Sequence, residues 1–412
     1  MKHEITDNIS NPEALEKLYR DNKREFTREF PEIAVDNDSE LVRFWKIRLS
    51  HEAAIVKRII VQDLYALIII SLVTAILAKL PEIFTGIDQT RFYMRDLTII
   101  AFNGLIIYFF YQNQIQKKWI MIYSAVIAVL VLYVNLLPNR ESDSLNIAFL
   151  HVPLFLWCLL GMAYISFDFV DVGKKTGFIR FNGELITMTG LLLLAGGILT
   201  AITIGLFFAI GVDIEQNYME YIAIPGGIVS PIVASYLIRV YPDITGRIVP
   251  VIARVFTPIA LITLVVYLVS LAFSGIKILE DRDILLLFNV LLVAVMAIIV
   301  FSITELDKTR NRNIYVLILI ILAGVTLLIN SVALIAIVSR LANGLTPNRT
   351  AVFITNMLVF INLILLTRDL YRSYLDSARL ENVEGTMAKY LMLYFIWTII
   401  AIFILPVIFG FN

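Results

Sequence analysis

From about residue 60 to the end of the chain, apolar runs follow one another with little between them. Each approaches the roughly 20 residues that a helix needs to cross a hydrocarbon core about 30 Å thick. We count about eleven, at 61–81, 97–114, 119–137, 145–166, 185–211, 219–241, 249–274, 283–304, 314–338, 350–367 and 386–410. Backbone polar groups in lipid must be satisfied within the spanning structure, and these runs are too long and too evenly apolar for tilted barrel strands of about 10 residues. The expected fold is therefore all-α: a polytopic transmembrane helical bundle over residues 58–412. Composition agrees, because 59% of the 412 residues are hydrophobic and mean hydropathy is +0.82, against roughly 45–50% apolar in soluble domains.

Residues 1–57 read as a cytoplasmic amphipathic helical segment. Asn11-Pro12-Glu13 offers an N-cap, a proline at the first helical position and an early acidic residue. A helix from about Pro12 to Glu29, ended by Pro31, would carry Leu15, Leu18, Tyr19, Phe26 and Phe30 as one stripe. A second helix from Asp38-Ser39-Glu40 would set Leu41, Phe44, Trp45 and Leu49 on one face. The pair suits a structural cap or a module that docks a protein partner. The apolar runs begin behind this charged segment, so no cleavable signal peptide is expected.

Lysine and arginine total 34, equal to aspartate and glutamate, so net charge gives no reason to expect nucleic acid. Their placement is informative. Basic residues near span ends on the side of the N-terminal segment are Lys117, Lys118, Lys174, Lys175, Arg180, Arg239, Arg247, Lys308, Arg310, Arg312, Arg368, Arg372, Arg379 and Lys389, fourteen in all. The other side has eight: Lys79, Arg91, Arg95, Arg140, Lys277, Arg282, Arg340 and Arg349. The positive-inside rule then sets the N-terminus in the cytoplasm and, with an odd number of spans, the C-terminus outside.

Mid-membrane ionisable residues usually mark function, and this chain has almost none. Asp63, Glu184, Glu220 and Glu305 fall at span ends. Arg254 lies about a turn and a half inside the seventh span, where it would face a partner or an aqueous cavity. His151 lacks the companions that a metal site or proton relay needs, and no HExxH, CxxC, GxSxG or GxxxxGK[ST] occurs. The single cysteine, Cys158, reads as a small buried hydrophobe. The residues point away from an enzyme, and no cofactor or metal is expected. Asn103, Asn135, Asn289, Asn330, Asn356 and Asn362 fall inside spans, where amides usually bond across helices.

Spans five and six depart furthest from plain lipid-soluble helix. The fifth interleaves Thr187, Thr189, Thr200 and Thr203 with Gly190, Gly196, Gly197 and Gly205. The sixth holds IPGGIVSPIVASY, where Pro225 and Pro231 bracket Gly226, Gly227 and Ser230. Proline removes a helical hydrogen bond, so this span is expected to kink or break, and broken helices line binding sites in many transporters. The candidate ligand-binding residues are thus Thr200, Thr203, Pro225, Gly226, Gly227, Ser230 and Arg254, with Arg349 from the TPNR block, where Thr346 and Pro347 suit a helix start. The expected function is transporter- or channel-like, handling a small solute or ion. The alternative is a membrane-anchored sensor or scaffold that recruits a protein partner through its N-terminal segment.

NGLTPNRTAVFITNMLVFINLILL, from Asn343 to Leu366, resembles a segment of a bacterial family of multi-pass membrane proteins catalogued only as a domain of unknown function. TGLLLLAGGILTAITIGLF, RDILLLFNVLLVAVMAII, NPEALEKLYRDNKREF and FIWTIIAIFILPVIFGF are similar to the same family, and TPNR is the most specific piece. The resemblance implies a bacterial inner-membrane location and carries no activity.

Overall fold

The computed structural model describes residues 2–34, 39–84, 86–139, 142–209, 213–241, 282–304, 306, 314–342, 344–376 and 380–411, with a few positions between 257 and 269. Every regular element among them is helical. The chain divides into two compact units, residues 1–66 and 67–412.

The first unit contains α1 (Lys2–Asp7), α2 (Pro12–Asp21), α3 (Lys23–Ile33) and the beginning of α4 (Glu40–Ala78). Asn11 caps α2 as its sequence predicts, its side chain accepting from Ala14 N–H at 3.2 Å. The single helix expected from Pro12 to Glu29 is instead two. Asn22 closes α2 and opens α3, accepting from Glu25 N–H at 3.2 Å while donating to the Glu25 carboxylate at 2.8 Å. Its own N–H donates to Leu18 O at 3.1 Å, so one residue satisfies a carbonyl at the end of α2 and an N–H at the start of α3. Pro31, expected to end the helix, lies inside α3, which runs two residues past it to Ile33. Leu15, Tyr19, Phe26, Phe30, Val42, Trp45 and Leu49 form one core. Phe44, expected on that face, is instead 57% exposed, and Val42 fills the inward position. Arg48 binds Glu16 at 2.7 Å and lies over the Trp45 ring at 4.6 Å. Hydrogen bonds from Arg20 and Arg48 hold the Glu16 carboxyl below its ordinary value.

In the second unit, α5 (Leu80–Ile83), α6 (Gln89–Arg95) and α7 (Leu97–Gln112) precede α8 (Lys117–Leu136), α9 (Asp143–Tyr164), α10 (Val172–Ala209) and α11 (Glu215–Val240). Then come α12 (Arg282–Thr304), α13 (Ile314–Leu341), α14 (Pro347–Leu375) and α15 (Leu380–Ile408). Among the described residues seven helices, α8–α11 and α13–α15, are long and apolar enough to cross a membrane, and α6 with α7, bent by 46°, makes an eighth. Gln62–Ala78 and Leu292–Thr304 are shorter apolar helices. The seventh expected span, 249–274, lies almost wholly outside the described residues, and Arg254 with it.

Large apolar side chains point outward around the unit, among them Leu72, Ile122, Val129, Leu194 and Leu328. Lipid is a suitable neighbour for such side chains, whereas water is not. Inside, one core joins α7, α8, α9, α11 and the start of α10, and a second joins α12 to α15. Arg95, at the bend between α6 and α7, is 4% exposed and donates to the carbonyls of Asn135, Leu137 and Pro138 at 3.2–3.4 Å. It thereby closes the C-terminal end of α8, where a cation is favoured.

Candidate functional site

The sixth span does not break. Helix α11 runs from Glu215 to Val240 with one π-helical turn, Met219–Ala223, just before Pro225. Pro231 cannot bond the carbonyl of Gly227, four residues back, and the Ser230 hydroxyl donates to that carbonyl at 2.7 Å instead. A hydroxyl thus repairs the gap left by the missing N–H, and the helix continues. The same logic operates in α15. Its π turn, Ile400–Ile404, precedes Pro406, and the carbonyl of Ile402 that Pro406 leaves unbonded accepts from the Tyr133 hydroxyl at 2.9 Å.

The other expected ligands are dispersed. Thr203 donates to Leu199 O in its own helix at 2.7 Å. Pro225 is buried, a side chain at Gly226 would meet nothing within 4 Å, and one at Gly227 would meet Leu193 of α10 at 3.8 Å. Thr200 is half-buried, and the glycines beside it, Gly190, Gly196 and Gly197, face open space. Arg349 donates to the carbonyls of Arg340 and Gly344, both at 3.0 Å, and so fastens the end of α13 to the start of α14. Gly344 has φ +121°, a backbone region that favours glycine. Thr346 accepts from Arg349 N–H at 3.3 Å, and Pro347 is the first helical residue, the capped start that TPNR predicts.

Polar side chains converge elsewhere. Asn356 of α14 donates to Asn289 of α12 at 2.7 Å, and Asn330 of α13 donates to the Asn356 carbonyl at 3.1 Å. Three helices therefore meet through amides in the second core. Asn330 is 0% exposed, and among the described residues its Oδ1 has no hydrogen-bond partner. Further along α14, Asn362 donates to the Tyr394 hydroxyl of α15 at 3.1 Å, and its Oδ1 likewise has no partner among the described residues. Leaving such a group unsatisfied costs about 1–3 kcal/mol. The remaining two intramembrane amides bond across helices as well: Asn103 accepts from the Tyr123 hydroxyl and Asn135 donates to Asp96 at 2.8 Å. The amide signal was visible in the sequence, but the tyrosine and aspartate partners were not, because nothing local ties them to it.

Near the ends of the spans lie two charged groupings. Lys79 pairs with Glu82 at 3.0 Å and with Glu220, on the π turn of α11, at 3.8 Å, while the Tyr93 hydroxyl donates to Glu82. Burial pushes the Glu82 carboxyl up, but the Tyr93 and Lys79 hydrogen bonds outweigh it and hold it below its ordinary value. Asp369, buried in α14, accepts from Arg368 at 2.9 Å and from Thr386 of α15 at 2.7 Å. His151 is buried with its Nδ1 on Ile147 O at 2.8 Å and its ring edge-on to Trp397, whose Nε1 has no partner among the described residues. Among the described residues no three His, Cys, Asp or Glu side chains gather as metal ligands would. Compared with protein-family models, curated proteins and solved structures, the chain matches none.

Proposed function

We propose that this chain is a transporter- or channel-like protein of about eleven spans, and that its polar site is the asparagine junction of α12, α13 and α14. One observation carries the reading: the Asn330 side-chain carbonyl oxygen is fully buried at that junction without a partner among the described residues. A site of this kind suits a small polar solute or a cation, since amide and backbone oxygens are hard acceptors and the asparagines that meet there are uncharged. The Pro225-Gly226-Gly227 segment beside the π turn of α11 is assigned to motion, with Thr200, Thr203 and Ser230 on the same pair of helices. π turns and prolines give a membrane helix places to bend without losing all its hydrogen bonds.

The proposed setting is a bacterial inner membrane, with the N-terminus cytoplasmic and the C-terminus outside, on the strength of the basic-residue bias and the resemblance carried by TPNR. Purified protein in proteoliposomes, challenged with a panel of monovalent cations and small neutral solutes, tests the transport reading. Wild type should move at least one of them, and Asn330→Ala should slow that movement about tenfold or more, the factor corresponding to about 1.4 kcal/mol of lost interaction. Equal flux in the variant would remove the asparagine junction from the mechanism.

A second reading, the sensor or scaffold, is favoured by the first unit, which has its own core yet leaves Phe44 and Ile47 exposed. Such a patch suits a protein partner. Deleting residues 1–56 discriminates: a variant that inserts and keeps full flux while losing a copurifying partner supports this role.

A further inference from the structure

Helices α8, α9 and α15 frame an open groove of about 470 Å3, within the roughly 300–1,000 Å3 of typical ligand clefts. Its lining is almost wholly apolar, with Val126, Val129, Phe155, Phe395 and Phe403 along its length and Trp119 at one end. The Trp119 ring stacks on Phe167 at 4.5 Å with 2° between the planes, which builds an aromatic shelf at the mouth. Phe167 and Ser166 both have positive φ, 59° and 56°, a conformation that side-chain-bearing residues keep only where surrounding contacts impose it.

Charge gathers at this same end. Lys117 and Lys118 immediately precede Trp119, with the Lys118 ammonium 5.5 Å from the indole ring. Lys174 and Lys175 begin α10 just beyond the Phe167–Phe169 turn, and Lys175 lines an adjoining groove that shares Met162, Phe169 and Phe395 with the first. Lys174 pairs with Asp168 at 2.8 Å, but among the described residues no carboxylate pairs with Lys117, Lys118 or Lys175. Four lysines against Asp168 and Asp171 leave the mouth positive.

An apolar channel ending in a tryptophan shelf and a cluster of ammonium groups matches one occupant, a lipid with a long chain and an anionic head. We propose that this groove holds an anionic phospholipid, one acyl chain lying along Val126, Val129, Phe155 and Phe403 and the phosphate facing Lys117, Lys118 and Lys175. Basic pockets between transmembrane helices recognise acidic head groups in this way. Tryptophan at the headgroup level anchors the junction between the two parts.

The test uses full-length protein in detergent, with phosphatidylglycerol or phosphatidylcholine added and retained lipid counted by native mass spectrometry. Wild type should retain phosphatidylglycerol in preference to phosphatidylcholine. The triple variant K117Q/K118Q/K175Q should lose that preference, at roughly fivefold for each lysine near the surface. Ala125→Trp, which fills the exposed groove without altering charge, should reduce retention of either lipid. The proposal is overturned if wild type retains both lipids equally, if the triple variant keeps its preference, or if monodisperse Ala125→Trp protein holds lipid as wild type does.

Discussion

Replacing Gly104 with alanine should loosen the packing of α7. A Cβ there would collide with Thr74 Oγ1 and lie 2.8 Å from Ile232 Cδ1 and 3.1 Å from Thr74 Cγ2. Three contacts from two other helices, α4 and α11, therefore crowd one methyl group. Thr74 has little freedom to retreat, because it is buried, β-branched and tied to Ile70 O by a 2.8 Å hydrogen bond. Relief therefore comes from turning Thr74, which breaks that hydrogen bond, or from a small separation of the helices. Overpacking of this kind costs about 1–3 kcal/mol, and glycine-to-alanine in a helix returns about 0.5–1 kcal/mol, so a net loss of about 1 kcal/mol is expected from the middle of the two ranges. Equilibrium unfolding of the purified protein in mixed micelles measures it. Thr74→Ala in the same chain removes both offending branches and should recover most of the loss, giving a coupling energy of opposite sign to the single effect. A Gly104→Ala protein as stable as wild type, or a double variant no better than the single, would refute the close-packing argument.

Other expectations follow from the same physics with different signs. Gly190→Ala, at a helical position where a Cβ meets nothing, should stabilise by about 0.5–1 kcal/mol in the same unfolding assay. The Glu82 carboxyl is lowered from its ordinary 4.5, so its contribution is present above that pH and is lost as pH falls through the lower folded value; acid titration of stability should show a shallower fall in Glu82→Gln. Thr386→Val deletes the hydroxyl bonded to buried Asp369 and should cost about 1.5–3 kcal/mol, the range for hydrogen bonds to charged groups. Trp45→Ala removes a side chain 2% exposed at the centre of the first unit. It should cost about 3–5 kcal/mol, read as faster proteolysis of the N-terminal segment in the full-length protein.

The sequence by itself determined the class of this protein and several of its local devices. Hydropathy and length are sums over one segment, so seven of the expected spans reappear as long apolar helices, though α10 begins 13 residues before its apolar run at 185, α14 continues 8 residues past 367 and α15 begins 6 residues before 386. Capping is equally local: Asn11 and Thr346 sit at their helix starts because the N–H groups they accept from are three residues away, and Pro347 follows because the first helical position needs no N–H. Tertiary structure decided what depended on neighbours. Whether Pro231 broke its helix turned on the Ser230 rotamer, and whether the fifth span's glycines met another helix turned on how α10 faces outward. Which asparagines met was set by the docking of α12, α13 and α14. In lipid, helices choose partners by close van der Waals fit and by buried hydrogen bonds, and neither leaves a periodic trace in the chain that makes it.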